Sequence, residues 1–399
     1  MKRYGNLYHK IYSMGNLYLA YRNAKKGKGW YREAKQIEAR PYYYLAALRW
    51  ILQNHKYKTS QYSTFTKRDS KKEREIYKLP FFPDRIVQWA ILQVIEPQLL
   101  RCFTSDTYSA IPKRGIHAAL RQLRKAIDDH PEKMLYCLKI DCKKFYPSID
   151  HEILKQKFRR KYKDPELLAV IDEIIDSTST CPATEENIKF YASRGKKIKV
   201  VSYDDPNKQF IEGVGIPIGN YFSQYDGNFY FSEFDHWIKE VKHVKDYYRY
   251  MDDMCIFAET KEELHEILTE ICEYMEGKLN LRLKENYQIF PSFVRGIDFV
   301  GYRSFLTHTL LRKSTCQEFK RKMTAIRKKV ESGQEMNYSE WCSINSYKGW
   351  LKHCDSYRLS EKYIEPIQAY ADEYYKTHIK KKGGRKHEKI YQSTQYATA

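Results

Sequence analysis

The sequence predicts an α+β fold organised around an antiparallel sheet. Three stretches carry that expectation. Tyr247 to Phe257 sets Asp252 and Asp253 between two apolar, aromatic-rich runs, the pattern of a β-hairpin with acid at its tip. Tyr136 to Asp141 is an apolar strand ended by an acid, with aromatics and Pro147 close behind to turn the chain. Lys261 to Lys278 puts Leu264, Ile267, Leu268, Ile271 and Met275 on one helical face, before further strand-like runs. Strand, helix, hairpin, helix and strand in that order describe an α+β domain.

Composition narrows the partner. At 399 residues and 42% hydrophobic content, the chain can bury one large core or those of two to three ordinary domains. A formal charge of +21 points to a polyanionic partner, because such an imbalance repels itself in a folded chain. The 36 tyrosines, interleaved with Lys and Arg, suit stacking on bases as well as filling a core. Nine cysteines include no C-x-x-C pair and none of the paired spacing of zinc sites, so they read as reduced core thiols. The N-terminus lacks an apolar leader, and the most apolar stretch, Ile86 to Leu100, is broken by Gln88, Gln93, Glu96 and Pro97. Neither a signal peptide nor a membrane span is expected, which makes the cytoplasm the default location.

Residues 1 to 58 read as helices, with Leu45, Leu48 and Leu52 at core spacing and Lys25, Lys26 and Lys28 in a basic break. Tyr62 to Thr66 and Glu75 to Leu79 read as strands joined by a basic loop carrying Lys67, Arg68 and Arg74. Folded over a triphosphate, that loop would supply cations to phosphate oxygens; a charged surface turn is the alternative. A helix is expected from Pro83 to about Leu100, and Lys113-Arg114-Gly115 forms a second basic turn. Asp150, just before a helical run, reads as a cap. Residues 177 to 212, with few core positions, read as a loop or small insertion. Gly213 to Gln224 brings glycines and small polar residues to a helix start, which lets backbone approach a ligand closely; it has neither Walker nor dinucleotide spacing. Leu279 to Phe290 and Ile297 to Phe305 read as strands, residues 317 to 330 as a helix with Phe319, Met323, Ile326 and Val330 inward, and Lys380 to Lys386 as a basic tail.

Asp252 and Asp253 on one turn suit a pair of hard divalent cations, which take oxygen ligands and keep room for substrate phosphates. A two-metal site needs a further carboxylate from elsewhere, and Asp141 at a strand end is the best candidate, with a helix cap as its alternative role.

These residues resemble the reverse transcriptases over roughly Phe65 to Leu359. Tyr250-Met251-Asp252-Asp253 is similar to the family's metal-binding hairpin, and Leu138 to Asp141 with Phe145-Tyr146 to its first acidic motif. Gly215 to Asn220 with Ser223-Gln224 resembles the nucleotide-pocket motif, and Gly296 to Tyr302 the primer grip. The resemblance implies a right-hand polymerase fold and a division of the chain. Residues 1–60 would be an N-terminal helical extension, 61–135 fingers, 136–312 palm with an interleaved insertion over 155–212, 313–376 a helical thumb, and 377–399 a basic tail.

It implies two Mg²⁺ ions, with Mn²⁺ as the alternative, held by Asp141, Asp252, Asp253 and the Cys142 carbonyl. Lys67, Arg68 and Arg74 would meet triphosphate. Tyr146 would exclude a ribose 2′-hydroxyl, with core packing as its other role. Gly219, Ser223 and Gln224 would shape the pocket, Lys284 would be a candidate general acid, and Gly296, Phe299, Gly301 and Tyr302 would grip primer. The implied partners are template RNA, cDNA, dNTPs, a structured non-coding RNA and a small accessory protein. Ile-Gly followed by Ser-Gln is most like the enzymes of diversity-generating retroelements, with antiphage defence enzymes as near relatives. A non-catalytic RNA-binding scaffold and an RNA-dependent RNA polymerase are the readings of other kinds.

Overall fold

A computed structural model describes residues 3–69, 72–200 and 208–380 of the chain. Residues 381–386 of the expected basic tail lie outside them. The first four helices, Tyr8–Ile11 (α1), Met14–Lys25 (α2), Arg32–Ala39 (α3) and Pro41–Gln53 (α4), bear out the helical reading of the N-terminus, and Leu45, Leu48 and Leu52 are fully buried. The hairpin that follows, Ser63–Asp69 (β1) and Lys72–Lys78 (β2), corrects the expected basic loop. Pairing continues to Asp69↔Lys72, so Lys67, Arg68 and Arg74 lie on strands. The cause is visible in the register: Arg68 faces Glu73, and opposite charges directly across a ladder favour pairing.

Next come Ile86–Leu100 (α5), Ile116–Asp129 (α6), Tyr136–Asp141 (β3), Phe145–Ser148 (α7), His151–Lys161 (α8) and Pro165–Asp176 (α9). Asp150 caps α8 as expected, its carboxylate accepting from the Glu152 and Ile153 amides. The stretch 177–212 is more structured than its composition suggests. It holds Glu185–Ala192 (α10) and the paired strands Ile198–Val200 (β4) and Gln209–Ile211 (β5). Cys181, Tyr191, Ile211 and Val214 give it a core of its own, from residues spaced too widely to register as a period.

Tyr221–His236 (α11) leads to the hairpin Tyr247–Tyr250 (β6) and Asp253–Ala258 (β7), then to Lys261–Leu279 (α12). Only Gln288–Pro291 (β8) of the strand expected over Leu279 to Phe290 is strand. Before it, Cys142 and Leu283 form an isolated antiparallel bridge past the end of β3, with Lys143 N donating to Arg282 O at 2.8 Å and Lys284 N to Asp141 O at 2.9 Å. After Ser292–Arg295 (α13), the strand expected over Ile297 to Phe305 is a tight hairpin, Ile297–Phe299 (β9) and Tyr302–Ser304 (β10), followed by Thr309–Leu311 (β11). Val300 (φ 45°) and Gly301 (φ 86°) form its turn, the left-handed pair that a two-residue hairpin needs. Four helices complete the described chain: Lys313–Glu331 (α14), Tyr338–Leu351 (α15), Tyr357–Tyr363 (α16) and Glu365–Tyr374 (α17). On α14 the predicted Phe319, Met323, Ile326 and Val330 are the buried residues.

The chain divides into two compact units. The first comprises Met1–Ala110, Asp141–His243 and Leu268–Glu285, with α1 to α5, the β1–β2 hairpin and α7 to α11. The second comprises Ile111–Ile140, Val244–Ile267 and Asn286–Ala399, with α6, α14 to α17 and two antiparallel sheets ordered β6-β7-β3-β8 and β11-β10-β9. Mixed helix and antiparallel sheet is the architecture the sequence predicts. Among the described residues, no helix is long and apolar enough to cross a membrane.

The β9–β10 turn offers a direct check. A Cβ on Gly301 would lie 2.5 Å from the Trp350 ring, and its φ disfavours any other residue. Gly301→Ala is expected to destabilise the protein by about 1–3 kcal/mol. Gly277→Ala, in the last turn of α12 with nothing within 4 Å, should stabilise it by about 0.5 kcal/mol. Denaturant unfolding of both variants measures the difference.

Candidate active site

β6 is buried along most of its length and turns sharply at Met251 (φ 55°), so Asp252 occupies the turn and Asp253 opens β7. A residue without glycine's freedom at positive φ needs support from its surroundings. Arg249 supplies it: the fully buried guanidinium donates from Nη1 to the Met251 carbonyl at 3.0 Å. Asp252 and Asp253 are both half-buried.

In the same sheet, Lys139 of β3 points at the hairpin. Its Nζ lies 3.2 Å from Asp253 Oδ1 and also donates to the Asp298 carbonyl on β9. Burial works against the charge on Lys139, yet Cys255, Asp253 and Asp298 outweigh it, and its pKa lies above the ordinary lysine value. The Asp298 carboxylate in turn takes the Arg312 guanidinium at 2.5 Å, at the start of α14. Neither Lys139, Arg249, Asp298 nor Arg312 stood out in the sequence. Lys139 alone left a signal: alternation along Leu138-Lys139-Ile140-Asp141 sets the lysine on the acid's face of the strand and buries Leu138 and Ile140 on the other.

Asp141 ends β3, as expected. One carboxylate oxygen, Oδ2, pairs with Lys284 Nζ, while Oδ1 is buried without a hydrogen-bond partner. A buried, unsatisfied anionic oxygen is costly, so it is a ready ligand for a hard cation. Cys142 is fully buried, which leaves its main chain rather than its thiol for such a role. Among the described residues no three His, Cys, Asp or Glu side chains converge as an all-protein metal cage. The oxygen donors here fit Mg²⁺ nonetheless, because that ion takes one or two carboxylates and completes its shell with water and phosphate.

The glycine-rich stretch packs closely on its own side. Gly215 (φ 92°) and Gly219 (φ 121°) meet the protein's own chain: a Cβ would lie 2.5 Å from Thr180 Oγ1 in the first and 2.8 Å from the Tyr77 carbonyl in the second. Gly219 thereby seats this loop against β2, where Tyr77 N also donates to Ile218 O at 2.8 Å. Ser223 is buried and Gln224 half-buried at the start of α11, behind Asn220, whose Nδ2 donates to the Tyr62 hydroxyl at 3.0 Å.

Tyr146 is half-buried and tied to the same loop, its carbonyl accepting from Ile216 N at 3.0 Å. Its ring reaches α11 at Gly227, where a Cβ would lie 3.6 Å away. On the β1–β2 hairpin, Arg68 is held by Glu73 at 2.6 Å, whereas Lys67 stands opposite Arg74. Like charges facing across an exposed ladder are unfavourable alone and are relieved by an anion.

In the β9–β10 hairpin, Phe299 and Tyr302 point inward rather than to solvent. Tyr302 stacks on Trp350, 5.2 Å between ring centroids, and its hydroxyl donates to the Trp350 carbonyl at 3.0 Å. Gly301 accepts the same ring edge-on, and Gly296 (φ 79°) fits beneath Phe305. These residues shape the hairpin.

Comparison with known proteins gives the arrangement a setting. The family model described as reverse transcriptase (RNA-dependent DNA polymerase) matches residues 65–303. Protein YkfC of Escherichia coli (strain K12) is 23% identical over 56% of this chain, and the match spans 61% of YkfC. The chain thus spans about three-fifths of that relative's length. Among solved structures, the apo telomerase of Candida tropicalis truncated from its C-terminal domain has a TM-score of 0.44 at 12% identity, covering 68% of this chain and 60% of that one. The telomerase of Candida albicans in complex with a TWJ fragment of telomeric RNA gives 0.44 at 10% identity, covering 85% and 65%.

A divalent cation at Asp253 would compete with Lys139 to neutralise the carboxylate. Lys139→Met should destabilise the ion-free protein by about 1–3 kcal/mol, the cost of stripping a charged group of its partner. Excess Mg²⁺ should return more stability to this variant than it adds to wild type. Thermal melts with and without Mg²⁺ read both, and an equal Mg²⁺ effect in the two proteins would show that the lysine and the ion do not share the carboxylate.

Proposed function

The chain belongs to the reverse transcriptase family, and from that membership we propose that it synthesises cDNA on an RNA template at Asp141, Asp252 and Asp253. One observation carries the reading: the strand closed by Asp141 and the hairpin bearing Asp252 and Asp253 are neighbours in one sheet, ordered β6-β7-β3-β8. The fold is the α+β right-hand polymerase fold. In this reading the β1–β2 hairpin belongs to the fingers, the four-stranded sheet to the palm, and the helices from α14 onward to the thumb.

Bound Mg²⁺ supplies activation of the primer 3′-hydroxyl and charge stabilisation of the leaving pyrophosphate. Asp141 and Asp252 would hold the ions, with Asp253 and the Cys142 carbonyl completing the protein's share. Arg249 keeps the hairpin turn in place through the Met251 carbonyl. Lys67 and Arg74, with Arg68 behind them, take the triphosphate, whose charge relieves their mutual repulsion. Lys284, already paired with Asp141, is sited to hand a proton to pyrophosphate. Tyr146 closes the sugar side against a 2′-hydroxyl, its carbonyl fixed by Ile216. Gly219, Ser223 and Gln224 border the nascent pair, while Gly296, Phe299, Gly301 and Tyr302 shape the hairpin that meets the primer. Template RNA, cDNA and dNTPs are the partners this chemistry requires.

Among biological settings, Ile218-Gly219 followed by Ser223-Gln224 favours a diversity-generating retroelement over antiphage defence, and with it a structured RNA and a small accessory protein.

With Mg²⁺, an RNA template and a DNA primer, wild type should incorporate dNTPs and discriminate against rNTPs. Asp252→Ala with Asp253→Ala should abolish extension while the variant still unfolds cooperatively. Extension by the double variant would overturn the assignment, and RNA binding by wild type without incorporation would favour a scaffold instead.

The retroelement setting carries its own expectation: frequent misincorporation opposite template adenines, reduced by substitutions between Ile218 and Gln224. Sequencing cDNA made on an adenine-rich template tests it, and accurate copying would count against that setting.

A further inference from the structure

The N-terminal helices carry an aromatic face that polymerisation leaves unused. α4 buries Leu45, Leu48 and Leu52 completely on one side. On the other, Tyr42 is 74% exposed, Tyr43 71% and Trp50 54%. With exposed Arg49 they occupy an arc of about 120° around the helix, and Tyr43 and Trp50 stand about 10 Å apart along its axis. Three large rings held in water on one helix face mark an interaction surface rather than scattered exposure.

The charge around these rings identifies what covers them. No Asp or Glu occurs from Ala39 through Arg68, while Arg40, Arg49 and Lys56 all fall in that stretch. Lys56 Nζ sits 4.6 Å from the Trp50 ring centroid, so a cation and a ring face are already side by side. Rings flanked by cations, with the nearby acids Glu166 and Glu173 already paired to His55 and Lys58, match a strand in which every unpaired base has a π face and every linkage a negative charge. A duplex offers the charge without the faces.

We propose that the outward face of α4, which carries none of the residues assigned to synthesis, binds single-stranded RNA. Unpaired bases stack on Tyr42, Tyr43 and Trp50, and Arg49 and Lys56 hold the backbone. The choice of RNA over DNA rests on the polymerase reading above; the stacking itself does not.

The test uses the full chain, a labelled unstructured RNA oligonucleotide and a fully paired RNA duplex, with binding read by fluorescence anisotropy. Tyr42→Ala, Tyr43→Ala and Trp50→Ala combined should weaken single-strand binding at least about tenfold, given what each stacked base contributes, and leave duplex binding and the melting temperature unchanged. Arg49→Glu with Lys56→Glu should weaken the single strand as well. Unchanged single-strand affinity, or an equal loss for both RNAs, would overturn the proposal. So would a change of oligomeric state in sedimentation with RNA affinity intact, because the face would then be a contact between protein chains. Wild type that binds the single strand through these rings yet extends no primer would sink the catalytic reading and leave this surface standing.

Discussion

Carboxylates set at a strand end and a tight turn need counter-charge, and the way it is supplied governs much of the local structure. In the second unit, Asp253 leans on Lys139, which is half-buried and whose pKa, despite that burial, is held above the ordinary lysine value by Cys255, Asp253 and Asp298. The same ammonium reaches the Asp298 carbonyl, and Asp298 reaches Arg312. One chain of charge therefore runs from the hairpin tip through the β9 strand to the first residue before α14. In the first unit, Asp141 shares a carboxylate oxygen with Lys284 and keeps the other without a partner. With lysine on one oxygen and no partner on the other, Asp141 keeps capacity for a further cation.

Close backbone approach is the second constraint. Gly215 packs against Thr180 and Cys181, Gly219 against β2, and Gly301 against Trp350; each has a positive φ and no space for a side chain. The loop that precedes α11 is thus fixed both to the β1–β2 hairpin and, through Ile216, to Tyr146. A loop built this way holds its shape through main-chain bonds.

Much of the fold was legible because periodicity survives wherever one face of an element is buried. The stripes on α4, α12 and α14 and the strand ending at Asp141 follow the sequence pattern. Legibility failed where pairing or packing overrode composition. The charged run from Lys67 to Arg74 reads as loop, yet Arg68 opposite Glu73 extends the ladder through it. The insertion over 177–212 reads as loop because the residues of its small core are scattered along the chain. Ile297 to Phe305 reads as one strand, since a Val-Gly turn lacks the Asn-Gly or Asp-Gly that usually announces a hairpin.

The sequence by itself determined the α+β class, the charge that demands a polyanion, the order of the acidic motifs and the capping and turn residues around them. Those are local properties, written in period, side-chain type and spacing. Only the tertiary structure decided that Arg249 holds the Met251 carbonyl, that Lys139 joins Asp253 to Asp298, and which backbone Gly215 and Gly219 pack against. It also left Tyr42, Tyr43 and Trp50 facing water. Partners this far apart in sequence, and faces left uncovered, depend on how the elements pack, and no local pattern encodes that.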